Sequence, residues 1–254
     1  IWKKRLNLVS NPDTTGVNVV SHEFLHDIVD TNQVDCFIIH NYFSEFDFEK
    51  LRMINPLYRL GSDAIYAKIF AASGRVVFLS AREMRLAAER YPGYAEKFLF
   101  CPPGHNDRSP YAKGNRNPNI VEMPGTVDWL PKKVSYWMNV RSGLPVDGKL
   151  VYGDSSDAYI SIVFDSFLSG FKLKLVEMAK HAKSIISFCD LQEDLNSIGF
   201  GDLPYLPVRN RSDLGKAITF FRDQGDLSPK VREELFLRAG TLTWDRMAKA
   251  VIGE

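Results

Sequence analysis

Residues 169–177 read Ser-Gly-Phe-Lys-Leu-Lys-Leu-Val-Glu, a glycine loop that runs into an amphipathic stretch carrying Lys172, Lys174 and Glu177. Those residue types at that spacing suit a phosphorylated nucleoside. Free backbone N–H groups at Gly170 and Phe171 and the positive end of a helix would meet phosphate oxygens, the lysines would neutralise them, and an acid one to two turns deeper would reach ribose hydroxyls. The competing reading of the same side chains is a solvated helix face with an i,i+3 Lys–Glu pair worth only about 0.2–0.5 kcal/mol. The neighbours weigh against it. A strand-like run, Tyr159 to Phe164, precedes the loop and another, Ser184 to Cys189, follows the helix, so the unit reads βαβ. Its charged loop then lies at the carboxyl end of a strand, where open parallel sheets bind ligands.

Other residues could do different chemistry. His22-Glu23-Phe24-Leu25-His26 is a literal H-E-x-x-H, the pattern in which two histidines one turn apart bind zinc and the Glu activates water. Glu45 would be a third ligand and Asp30 an outer acid. The longer form of that motif fails, because Val29 and Asn32 stand where Gly and the third His belong. Too little chain precedes the motif for an upstream substrate-binding sheet, and the helix expected over Val17–Asp30 turns Val20, Phe24 and Ile28 inward. His40 ends an apolar strand, Val34–Ile39, so it either faces a cleft as a catalytic group or is a satisfied structural histidine. Glu45, Asp47 and Glu49 could supply a base but read as a solvated loop. Ser80 and Glu83 read as a capping box, and His105 follows Pro102-Pro103-Gly104 at a hinge. Gly16 leaves room for a ligand beside a helix start, or simply makes a tight turn.

The elements that position these groups alternate. Strands are expected at Lys4–Ser10, Val34–Ile39, Arg75–Leu79 and Lys97–Cys101, with helices at Val17–Asp30, Ser62–Ala72 and Ala81–Tyr91. Phe43–Tyr58 has no clean period and reads mainly as loop. Asn106–Pro118, rich in Asn, Asp, Arg, Gly and Pro, reads as a linker. A second series follows: strands at Asn119–Met123, Lys149–Tyr152, Tyr159–Phe164, Ser184–Cys189 and Tyr205–Val208, with helices at Lys132–Val140 and Lys172–Ala182. Helices at Asp213–Arg222, Pro229–Leu237 and Thr243–Ile252 close the chain. The expected architecture is α/β, two Rossmann-like domains facing a cleft: residues 1–113, residues 114–240, and a C-terminal helix at 241–254 placed to pack back on the first domain.

A composition of 45% apolar and 25% charged residues is that of a soluble globular protein. The net charge of +1 argues against a dedicated nucleic-acid binder. Cys36, Cys101 and Cys189 sit far apart in apolar runs and read as buried thiols of a reducing compartment, which points to the cytoplasm. No apolar run is long enough to cross a bilayer. Ile1-Trp2-Lys3-Lys4-Arg5 lacks a signal-peptide core, and an opening Ile predicts sequence upstream.

Several segments, in order, resemble the GT-B glycosyltransferases of the large family-4-like group. Asn7 to Ser10 with Thr15-Gly16-Val17-Asn18 resembles the opening strand and loop of the acceptor domain. Phe78 to Glu83 resembles its Ser-x-x-Glu turn, and Phe100 to Asp107 the exit to the donor domain. Pro124 to Pro131 is similar to the donor domain's first strand end, Gly170 to Glu177 to its GxKxKxxE stretch, and Thr243 to Ala248 to the closing helix. The resemblance implies transfer of a sugar from a nucleotide sugar to a glycan, lipid-linked or other hydroxyl acceptor, with retention and without a metal. It assigns donor binding to Gly16, Gly125, Thr126, Gly170, Phe171, Lys172, Lys174 and Glu177, and catalysis to His40 and Lys172. It also allows peripheral contact with the inner face of a membrane and a role in polysaccharide biosynthesis. The first acid of the group's frequent Glu-x7-Glu pair falls at Ser169, and both domains are short. These departures favour a catalytically reduced nucleotide-sugar-binding protein as the alternative, ahead of a zinc peptidase built on His22, Glu23 and His26.

Overall fold

The computed structural model describes residues 19–21, 34–42, 56–105 and 114–252, except 126, 129, 154, 155 and 169, with backbone alone at 56–62 and 131. The strand expected at residues 4–10, the Gly16 loop, the histidine motif at residues 22–26, Thr126 and most of the 43–58 and 106–118 segments lie outside it.

Among the described residues the first half forms a four-stranded sheet of order β1-β2-β3-β4, all parallel: β1 (Val19–Ser21), β2 (Val34–Ile39), β3 (Ser73–Phe78) and β4 (Phe98–Phe100). Helix α1 (Pro56–Ala72) leads into β3 and α2 (Ala81–Arg90) leaves it, and a 3₁₀ turn at Pro92–Lys97 enters β4. β2 and the second half of β3, Val76–Phe78, are nearly all apolar and buried because both faces of a parallel sheet are covered. Tyr42, Tyr66, Phe70, Phe78 and Phe98 pack ring against ring on one side, mostly edge-on. Val19–Ser21 corrects the helix expected over Val17–Asp30 at those residues. Two β-branched residues pair with Cys36 and Phe37 of β2, and that tertiary partner overrides the helical period.

The second half is a five-stranded parallel sheet of order β6-β5-β7-β8-β9, from β5 (Ile120–Met123), β6 (Lys149–Tyr152), β7 (Ile160–Val163), β8 (Ser184–Ser187) and β9 (Tyr205–Pro207). Its helices are α3 (Leu130–Asn139), α4 (Lys174–Lys180), α5 (Gln192–Ser197), α6 (Arg211–Gln224), α7 (Pro229–Ala239) and α8 (Trp244–Ile252). Asn210 and Ser228 cap α6 and α7 through their side chains, and Gly225 ends α6 at φ +77°. Besides β1, α5 and the 3₁₀ turn were not anticipated. Both are six-residue elements, too short to show a period.

One apolar cluster spans both halves. Cys36, Ile38, Val77, Leu79 and Cys101 join Phe171, Leu175, Met178, Ala179 and Leu195, with Met247 and Val251 of α8. All three cysteines are free and buried. Among the described residues no helix is long and apolar enough to cross a membrane.

Candidate functional site

The second sheet reverses its winding between β5 and β7. β5 leads through α3 to β6 on one side, and β7 leads through α4 to β8 on the other. A crevice opens outside the carboxyl ends of such a strand pair, and it is where sheets of this kind take ligands. β5 delivers Gly125 to this point and β7 delivers Asp165. The loop holding Asp165 is fixed from α3: Asn139 Nδ2 donates to Phe164 O at 2.8 Å and Ser166 Oγ at 2.6 Å, and Ser166 N donates to Ser135 Oγ at 3.1 Å.

Asp165 is fully buried, and neither carboxylate oxygen accepts a hydrogen bond. Its Oδ2 instead faces two ammoniums, Lys172 Nζ at 3.5 Å and Lys174 Nζ at 3.4 Å. The lysines also lie over the Phe167 and Phe164 rings, at 4.5 and 5.1 Å. Lys174 Nζ makes no hydrogen bond and would lie 3.7 Å from a β-carbon at Gly125, a residue with φ +101°. Burial pulls the Lys174 ammonium below its ordinary range. Asp165 opposes this, while Lys172 and Lys132 add repulsion. For Asp165, burial would raise the carboxyl, but Lys172, Lys174 and Lys132 outweigh burial and hold it below the usual carboxylate range. Three lysines thus act on one carboxylate in a desolvated corner. A buried ammonium without hydrogen bonds, as Lys174 is, is costly unless an anion joins it.

The GxKxKxxE stretch sits differently from the sequence expectation. Helix α4 begins at Lys174, not Lys172. Lys172 and Leu173 form a preceding turn through Leu175 N to Lys172 O and Val176 N to Leu173 O, and no side chain caps the helix. Lys172 is buried and Lys174 nearly so, which replaces the solvated face by an internal charge cluster. Glu177 lies half-buried in the first turn of α4, and Phe171 is in the apolar cluster.

Gly170 is occupied. Its N–H donates to Glu83 Oε1 at 2.6 Å, and Glu83 Oε2 accepts from Tyr42 N at 3.0 Å. At φ +61° Gly170 also meets His40 O and Asn41 Oδ1 where a β-carbon would stand. The glycine loop therefore abuts the carboxyl end of β2, and the gap between the two halves is shut at this corner. The capping box is corrected by half: Ser80 Oγ accepts from Glu83 N at 3.4 Å, but the Glu83 carboxylate crosses to the other half. Ser80 Oγ also donates to Asp194 Oδ1 at 2.8 Å. Burial pushes the Glu83 carboxyl up to about 7, opposed by Arg82 and the two N–H donors. His40 brings its carbonyl to Gly170, while its ring Nε2 bonds Ser21 Oγ at 2.8 Å.

The structure thus gathers Gly125, Lys172 and Lys174 around Asp165, and Gly170 with His40 around Glu83. Gly16, Thr126, His22, Glu23 and His26 lie outside the described residues. Among the described residues no group of His, Cys, Asp and Glu is arranged to hold a metal ion. Sequence reasoning missed Asp165, whose only signal is an acid directly after a mainly apolar strand. It also missed Glu83 as a link between halves. No family model and no curated protein matches the chain.

Proposed function

We propose that the chain is a GT-B-type glycosyltransferase that holds the diphosphate of a nucleotide sugar against Lys172 and Lys174 and transfers the sugar to a hydroxyl acceptor with retention. The observation that carries this reading is the buried Lys174 ammonium, which makes no hydrogen bond, beside Lys172 and Asp165 at the winding reversal between β5 and β7. A diphosphate accepts the hydrogen bonds Lys174 does not make. Gly125, with no side chain and a left-handed backbone, leaves room beside Lys174. Fixed ammoniums at a departing nucleotide diphosphate stabilise the charge that develops there, the largest contribution such a site makes. In this reading Glu177 takes ribose hydroxyls, His40 bonds the transferred sugar, and Glu83 releases Gly170 as donor enters.

A catalytically reduced binding protein of the same fold is the second reading, favoured by Asp165, a resident acid between the two lysines. Incubation with a panel of nucleotide sugars, with and without hydroxyl acceptors, separates the two by release of nucleotide diphosphate. The expected result is release from at least one donor, lowered about a hundredfold or more in Lys172→Ala. Binding without release establishes the second reading, and neither binding nor release contradicts both.

A further inference from the structure

Helix α3 has two working faces, and only the inner one, with Ser135 and Asn139, serves the Asp165 loop. The outer face carries Leu130, Trp137 and Met138, which are 63%, 59% and 62% exposed, an unusual degree for large apolar side chains grouped on one stripe. At 100° per residue Lys133 falls beside Leu130 and Trp137, Arg141 follows in the turn after the helix, and both are exposed. The Arg141 guanidinium stacks 3.4 Å from the centre of the Trp137 ring. Tyr152, on edge strand β6 and 60% exposed, joins the patch through a 2.9 Å bond between its hydroxyl and that of Tyr136. From residue 129 to residue 146 the chain contains Lys132, Lys133 and Arg141 and no acid. Asp128 and Asp147 bracket it, and Lys149 follows on β6.

We infer that this face docks on an anionic lipid bilayer. A protein partner would bury an apolar centre depleted in charge with a polar rim. Here apolar and cationic side chains share one stripe, which matches the boundary between headgroups and acyl chains. Leu130, Trp137 and Met138 enter that boundary, Lys133 and Arg141 extend along them to lipid phosphates, and Tyr152 sits at headgroup level. Because Ser135 and Asn139 hold the Asp165 loop from the other side of α3, docking would set the β5–β7 crevice one helix diameter from the lipid surface. The docking does not depend on the transferase reading, since it needs no donor and no turnover.

Co-sedimentation of the full chain with phosphatidylcholine vesicles, with and without phosphatidylglycerol, tests it. The expected result is binding that requires phosphatidylglycerol, is released by raised salt, and is accompanied by a blue shift of tryptophan emission that Trp137→Phe removes. The pair Lys133→Glu with Arg141→Glu is expected to weaken binding more than tenfold, at about fivefold per charge removed. Trp137→Ser with Met138→Ser is expected to lower it as well. All four positions are exposed, so an unchanged melting temperature verifies that the variants fold. Absence of binding to phosphatidylglycerol vesicles at low salt overturns the inference. So does binding unaffected by these substitutions, or a self-associated dimer that Trp137→Ser with Met138→Ser dissolves.

Discussion

Two carboxylates set the behaviour of the candidate site. Asp165 stands 3.5 and 3.4 Å from the Lys172 and Lys174 ammoniums. Asp165→Asn removes that carboxylate from beside two buried ammoniums, a change that costs about 3–5 kcal/mol in comparable pairs. Its melting temperature is expected to fall in buffer and to recover most of the loss with a nucleotide diphosphate; loss without recovery would show that the lysines serve packing alone. Glu83 is the other. The folded chain keeps its proton up to about pH 7, against an ordinary value of 4.5, so between these values the folded state binds more protons than the unfolded one. Its contribution is therefore fully present below the lower value and is lost as pH rises through the upper, by on the order of 3 kcal/mol. Urea unfolding is expected to show a steeper decline of stability over that window in the native sequence than in Glu83→Gln. The lysines stood out in the sequence through the glycine before them, the flanking strands and the GxKxKxxE resemblance. Asp165 and Glu83 did not, because their meaning comes from partners across the fold: Tyr42 and Gly170 lie 41 and 87 residues from Glu83.

At the scale of elements, the buried strands announced themselves. β2, β7 and β8 are short runs rich in Ile, Val and Phe with small or single polar residues, the composition of strands in a covered parallel sheet, and the helices α2, α6, α7 and α8 carry their caps or their inward pair in sequence. β1 failed because three residues carry too little pattern to compete with the helical spacing of Val20, Phe24 and Ile28. The glycine loop shows where a backbone requirement is strict. Gly170→Ala must accept both a left-handed φ and a β-carbon against His40 O and Asn41 Oδ1, so it is expected to lose about 2–4 kcal/mol in denaturant unfolding. A loss below 1 kcal/mol, about what Gly-to-Ala entropy alone can offset, would mean that the loop and the end of β2 do not hold this contact in solution.

For the whole molecule, contacts between the halves come from the carboxyl ends of their strands. Glu83 reaches Gly170, Ser80 reaches Asp194, and Arg85 pairs with Glu193 at 3.1 Å. α8 adds a further tie, since His105 N donates to Leu242 O at 3.2 Å and Gly104 packs against the backbone of Thr243 and Trp244. The alternation of strands and helices was legible from composition and period. How the halves meet was not, because it rests on side chains far apart in sequence. Binding of a diphosphate at the β5–β7 crevice requires Glu83 to leave Gly170 or the ligand to stop short of it. Thermal shift with uridine, guanosine and adenosine diphosphates, on the native chain and on Lys172→Ala with Lys174→Ala, reads that binding directly through mass action. At least one nucleotide is expected to raise the melting temperature of the native chain, with the rise abolished in the double variant. No shift with any of them, or an equal shift in the double variant, would contradict an anion site at Lys172 and Lys174.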